Sequence, residues 1–199
     1  MIGQSLSARR FVVAVLSVLL ADQAYPEDQR SEAIYVGGQQ KEVEKTAFDL
    51  GMWLGALYSV ELSGSQDEVI AAYRRAAELA NMLDIDMPMP PLGERSTERA
   101  IQGLIFTVDL SNSLSGQLFK RYGRRPVAAF FFSLTTIQAR VMSADTKTQR
   151  TLLEKAITAS VILELSDEET GRIVEGVQKG MTLDKLLREL DKVRNTRLH

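Results

Sequence analysis

Three charged side chains stand alone in long uncharged stretches, and any chemistry this chain performs has to begin with them. Asp49 is the only charge between Thr46 and Val60, Asp109 the only one between Ala100 and Phe119, and Arg140 the only one between Pro126 and Ala144. A charge on an otherwise apolar helix is costly unless it is paired. The three are therefore expected to find one another, or a hydroxyl or indole N–H such as Ser111 or Trp53. An Asp109–Arg140 bond that sets helix register is the simplest form of that expectation. Facing carboxylates would give a second form: two close acids cannot both ionise cheaply, so Asp49 and Asp109 would then do acid/base work or hold a cation.

Other chemistry is poorly supplied. The single histidine is the final residue, His199, and the chain has no cysteine. That removes the usual general base, thiolate nucleophiles, disulfides, sulfur-ligated metals and the common Ser/His and Cys/His arrangements. Gly37-Gly38 follows no strand-like run and lacks the lysine of a phosphate-binding loop. The sequence therefore leans away from an enzyme and implies no cofactor and no metal.

Two further groups are candidates for binding. Lys120, Arg121, Arg124 and Arg125 crowd the corner around Gly123. Lys120 and Arg121 complement a helix C-terminus, and the four together would also suit anionic lipid, polysaccharide or an acidic partner face. Phe130, Phe131 and Phe132 point in three directions on a helix, so at least one is expected to leave the main core face. It would meet a neighbouring helix or, with Trp53 and Phe106, line an apolar pocket. Met87-Pro88-Met89-Pro90-Pro91 reads as a connector, with a polyproline docking strand as its functional alternative.

The elements that must position these residues read as helices throughout. Val43, Ala47, Leu50, Leu54 and Leu57 recur at helical spacing between Lys41 and Leu62, ended by Gly64. Ser65 with Glu68 forms a capping-box pattern ahead of a second stripe running to Leu83. A third helix is predicted from about Ser96 to Tyr122, a fourth from Pro126 to about Ala144 and a fifth from about Thr148 to Leu165. A sixth follows Ser166 and Glu169 as far as Lys179, and the last spans about Thr182 to Val193. No hairpin-bounded alternation appears, so the fold class is all-α: one single-domain helical bundle of six or seven helices over residues 41–199.

Asp49-Leu50-Gly51-Met52-Trp53-Leu54-Gly55 and Asp109-Leu110-Ser111-Asn112-Ser113-Leu114-Ser115 share the pattern Asp-Leu-small-x-x-Leu-small. This suggests two pseudo-repeated helical hairpins followed by a C-terminal helical subdomain. Small residues four apart let a second helix approach closely, most simply inside the bundle, alternatively across a homodimer.

The beginning of the chain carries the clearest address. Arg9-Arg10, the apolar run Phe11 to Ala21 and a small residue near Tyr25-Pro26 are the parts of a secretory signal peptide, assigned to residues 1–24 and followed by a flexible leader over 25–40. The run is about half the roughly 20 residues needed to cross a hydrocarbon core, so cleavage is favoured over an uncleaved membrane anchor. With a net charge of −2, nothing advertises nucleic acid. The combined expectation is a periplasmic or secreted binding or scaffold protein with a protein partner in the cell envelope. The alternatives are a carrier of a lipid or other apolar molecule, and a carboxylate hydrolase built on Asp49 and Asp109.

Overall fold

The computed structural model describes residues 37–90 and 96–198, and those residues form seven helices. They are α1 (Gly37–Ser63), α2 (Gln66–Met82), α3 (Thr97–Tyr122), α4 (Arg124–Val141), α5 (Thr146–Ile162), α6 (Asp167–Gln178) and α7 (Leu183–Arg197). The chain is an all-α, single-domain helical bundle. The stretch assigned to a signal peptide lies outside the described residues, as do most of the leader and His199. The leader's last residues, from Gly37, instead open α1; a helix's first turn leaves its N–H groups unpaired in any case, so the glycine pair there costs less than it would in the interior.

Local chemistry starts and stops these helices where the sequence places its signals. Ser65 and Glu68 make a full capping box on α2, and Ser166 and Glu169 make one on α6; each serine hydroxyl accepts the N3 amide while each carboxylate accepts the serine N–H. Ser96, Asp145 and Thr182 cap α3, α5 and α7 through their side-chain oxygens. Gly123 closes α3 at φ +79°, a conformation that disfavours residues bearing a Cβ, and the chain enters α4 immediately.

α4 is the axis of the molecule. Every residue from Pro126 to Ala139 is buried, and α4 is packed by α1, α3, α5, α6 and α7. Phe130, Phe131 and Phe132 are consequently all buried, those turned from one side of α4 meeting the helices on another, because a helix with neighbours on every side has no outward face. Phe132 meets Phe48 of α1 at a centroid separation of 6.3 Å, and the Phe130 and Phe131 rings stand edge to face at 5.2 Å.

α1 and α4 run parallel and cross closely. A Cβ on Gly51 would overlap the Phe130 carbonyl and the Ser133 hydroxyl, and one on Gly55 would lie 2.8 Å from Ile137 Cβ. Ser133 Oγ donates 2.7 Å to the Phe48 carbonyl across this contact. Gly51 and Gly55 thus serve internal packing: they let two backbones approach until a side-chain hydroxyl spans the gap. Ser111 and Ser115, their counterparts in α3, are also buried, and their hydroxyls return to their own helix at the Thr107 and Asn112 carbonyls.

Candidate functional site

The tertiary structure separates the three solitary charges. Asp49 faces α7, where Arg194 grips it as a fork: Nε to Oδ1 and Nη2 to Oδ2, both at 2.5 Å, with both side chains largely buried. The carboxylate strengthens Arg194's hold on its proton and raises its pKa. Arg140 is not the partner of Asp109. Its Nε donates to the Met181 carbonyl and its Nη1 lies 3.4 Å from Ser143 Oγ, tying the end of α4 to the connection between α6 and α7. Asp109 is exposed on the outer side of α3 and has no ion-pair partner among the described residues. Asp49 and Asp109 therefore do not form a facing pair, and the geometry for shared-proton chemistry between them is missing.

The physical reason is legible afterwards. α3 has few charges, but not because it is buried all round. One face carries Arg99, Gly103, Thr107, Leu110 and Leu114 into the bundle. The opposite face presents Ile101 and Ile105, 53% and 47% exposed, with Glu98, Gln102 and Asp109 beside them, all exposed. Exposed isoleucines made a two-sided helix look uniformly apolar.

The cationic corner also divides. Arg125 is built into the fold: its Nε bonds Glu44 Oε1 at 3.0 Å, and its Nη1 reaches Glu164 at 3.5 Å and the Ile162 carbonyl at 3.4 Å. Burial works to lower its pKa, but Glu44 and Glu164 outweigh that and leave it raised. Arg121 pairs with Asp84, which it meets at the end of α2. Lys120 and Arg124 stand exposed on the surface. Two of the four cations, Arg121 and Arg125, are thus ties between elements of the fold. Trp53 is 38% exposed, one turn beyond Asp49 on α1, and Phe106 is half-buried on α3. The aromatic residues nominated as a pocket lining are dispersed among the core, the surface and a flank of α3.

Several structural residues gave little warning in the sequence. Arg194 and Arg197 lie just past the predicted end of the last helix, about Val193, yet they belong to α7 and each reaches another helix, at Asp49 and at Glu169. Glu61 and Arg99, both buried, lie 3.5 Å apart, and the Glu61 carboxylate occupies the space a Cβ would need on Gly103. The signal for the α3 surface was present, because Ile101, Ile105 and Asp109 recur at a spacing of four and share one side of the helix.

A surface cleft of about 390 Å³ lies between α6 and α7 and is lined by Arg172, Glu175, Lys179, Met181, Lys185 and Glu189. Its charges alternate and largely answer one another: Lys179 bonds Glu175 at 2.7 Å, and Glu189 lies 3.9 Å from Arg172. Among the described residues, no helix is long and apolar enough to cross a membrane, and no group of three or more His, Cys, Asp or Glu side chains is arranged to hold a metal ion. Set against protein-family models, curated proteins and solved structures, the chain matches none.

Proposed function

We propose that this protein acts by binding, as an exported helical interaction or scaffold protein whose partner is another protein of the cell envelope, and that the docking face is the outer side of α3. The observation that carries this reading is the exposed pair Ile101 and Ile105. Their side chains lie one turn apart, flanked by Glu98, Gln102 and Asp109, on a helix whose other face already serves the core. An apolar centre with an acidic and polar rim suits a partner surface that offers apolar side chains ringed by lysine or arginine. The interior supports the same reading in preference to a carrier, because Phe130, Phe131 and Phe132 fill the space around α4 with the protein's own side chains.

The decisive experiment places a photo-crosslinking residue at Ile101 or Ile105 and, as a control, at exposed Val161 on α5, in protein expressed with its N-terminus intact. The expected result is one crosslinked envelope protein from the α3 positions and not from α5. That adduct should be lost in Asp109→Lys, with the thermal transition of the variant within about 2 °C of the parent. Equal labelling from α3 and α5 would defeat the reading, and a crosslinked dimer of the chain with itself would replace it by self-association. Export is tested separately by fractionation and by the mass of the purified chain, which should correspond to a start close to residue 25.

A further inference from the structure

We propose that the strap formed by Leu83–Pro90, which joins α2 to the segment leading into α3, is an oxidation-responsive latch with Met87 as its sensor. The sequence has no cysteine and seven methionines, so thioethers are its most readily oxidised side chains. Three of the seven fall within eight residues, at Met82, Met87 and Met89. Their environments differ. Met82 and Met89 are 65% and 71% exposed, whereas Met87 is half-buried and packed against the core.

Leu83 and Asp84 turn out of α2, Asp84 at φ +52°, and the strap has an inward and an outward side. Leu83, Ile85 and Pro90 are buried and Met87 partly so, while Asp84, Asp86, Pro88 and Met89 face solvent. Polar contacts from α2 and α3 hold it, among them the Arg121–Asp84 pair and a bond from Tyr73 Oη to the Met87 carbonyl at 3.4 Å. Gln117 of α3 clamps Asp86 as a neighbouring strand would: its Oε1 accepts the Asp86 N–H at 3.0 Å and its Nε2 donates to the Asp86 carbonyl at 3.1 Å. Tyr122 Oη donates to the Leu83 carbonyl at 2.7 Å, and Tyr73 Oη to the Pro88 carbonyl at 2.9 Å. Pro88 and Pro90 have no N–H to offer. Beyond Asp86 the strap is therefore held by Tyr73, by buried Pro90 and by Met87 as long as it stays apolar.

Hydrogen peroxide is a sufficient oxidant. Its O–O bond breaks as one oxygen bonds to the sulfur, the thioether loses two electrons, and the other oxygen leaves as water after taking up the proton. The sulfoxide dipole at Met87 would have to be buried without a partner or turned outward, and the second alternative lifts the strap from α2 and α3. Oxidation of Met82 and Met89 places the same dipole in water and leaves the strap seated, so these two consume the first equivalents of oxidant.

The test is a peroxide titration of the full chain, with peptide mass spectrometry to locate each added oxygen and hydrogen exchange to read the strap. At low dose Met82 and Met89 should gain oxygen while exchange at Asp86 stays unchanged. As Met87 is converted, exchange at Asp86 should accelerate by about 10-fold or more, which corresponds to about 1.4 kcal/mol of lost strap stability. Methionine sulfoxide reductase should restore protection in the parent protein, a readout that needs no variant. Met87→Leu should abolish the response, whereas Met82→Leu with Met89→Leu should keep it. Oxidised Met87 with an unchanged Asp86 amide would overturn the proposal. So would a Met87→Leu protein that still opens under peroxide, or oxidation of Met87 ahead of both exposed methionines.

Discussion

Gly51 and Gly116 both sit in helix interiors, where glycine costs roughly 0.5–1 kcal/mol relative to alanine, yet their substitutions should act in opposite directions. A methyl on Gly51 overlaps the Phe130 carbonyl and the Ser133 hydroxyl, atoms held by the α4 backbone and by the bond to Phe48. Gly51→Ala is expected to destabilise by about 1–3 kcal/mol, the usual range for overpacking. Around Gly116 nothing lies within 4 Å of an added Cβ. Gly116→Ala is expected to stabilise by about 0.5–1 kcal/mol. Urea unfolding of the two variants checks both signs, and a destabilised Gly116→Ala would mean that α3 is not helical there.

Among helices, α7 is attached to its neighbours by arginine. α7 reaches α1 through Arg194 and Asp49, and α6 through Arg197 and Glu169. Arg197 and the Ser166 cap, against the opposing effect of burial, lower the Glu169 pKa from its ordinary 4.5 to about 2. A carboxylate with a depressed folded pKa binds fewer protons folded than unfolded. Its contribution is therefore complete above the unfolded value and is lost as pH falls from about 4.5 to about 2. Because Arg197 is exposed, solvent screens the pair and its contribution is expected to be small. The difference in melting temperature between the parent and Arg197→Met should be constant above pH 5 and close toward pH 2, and a difference that persists at pH 2 would sink this account. A double-mutant cycle on Asp49→Asn and Arg194→Met should give a coupling of about 1–3 kcal/mol, because that fork is the better buried of the two pairs.

At the scale of the whole molecule, one buried cation opposes folding. Lys155 of α5 is only 7% exposed, and burial lowers its pKa from 10.5 to about 8. Between those values the unfolded chain binds the proton that the folded chain has released, so stability should rise as pH increases from about 8 to about 10.5. Lys155→Met is expected to raise stability at pH 7 by about 1–3 kcal/mol and to remove that rise. Chemical denaturation at pH 7, 9 and 10.5 checks both statements. An unchanged pH profile in the variant would show that other groups govern it.

What the sequence determined alone was everything governed by neighbours along the chain. The helical periods, the two capping boxes at Ser65 and Ser166, the stop at Gly123 and the Met-Pro interruption are local rules, and each appears where the residues placed it. Helix count and class followed from them. The tertiary structure alone decided which helix is central and which charges meet. Asp49 chose Arg194, 145 residues away, in preference to a partner in its own half of the chain. Asp109 faces solvent because α3 turns its isoleucines outward, and α4 could bury three consecutive phenylalanines because five helices surround it. Spacing along a helix states which side chains share a face, but which face meets water depends on how many neighbours arrive and from which side, and that is settled only when all seven helices pack together.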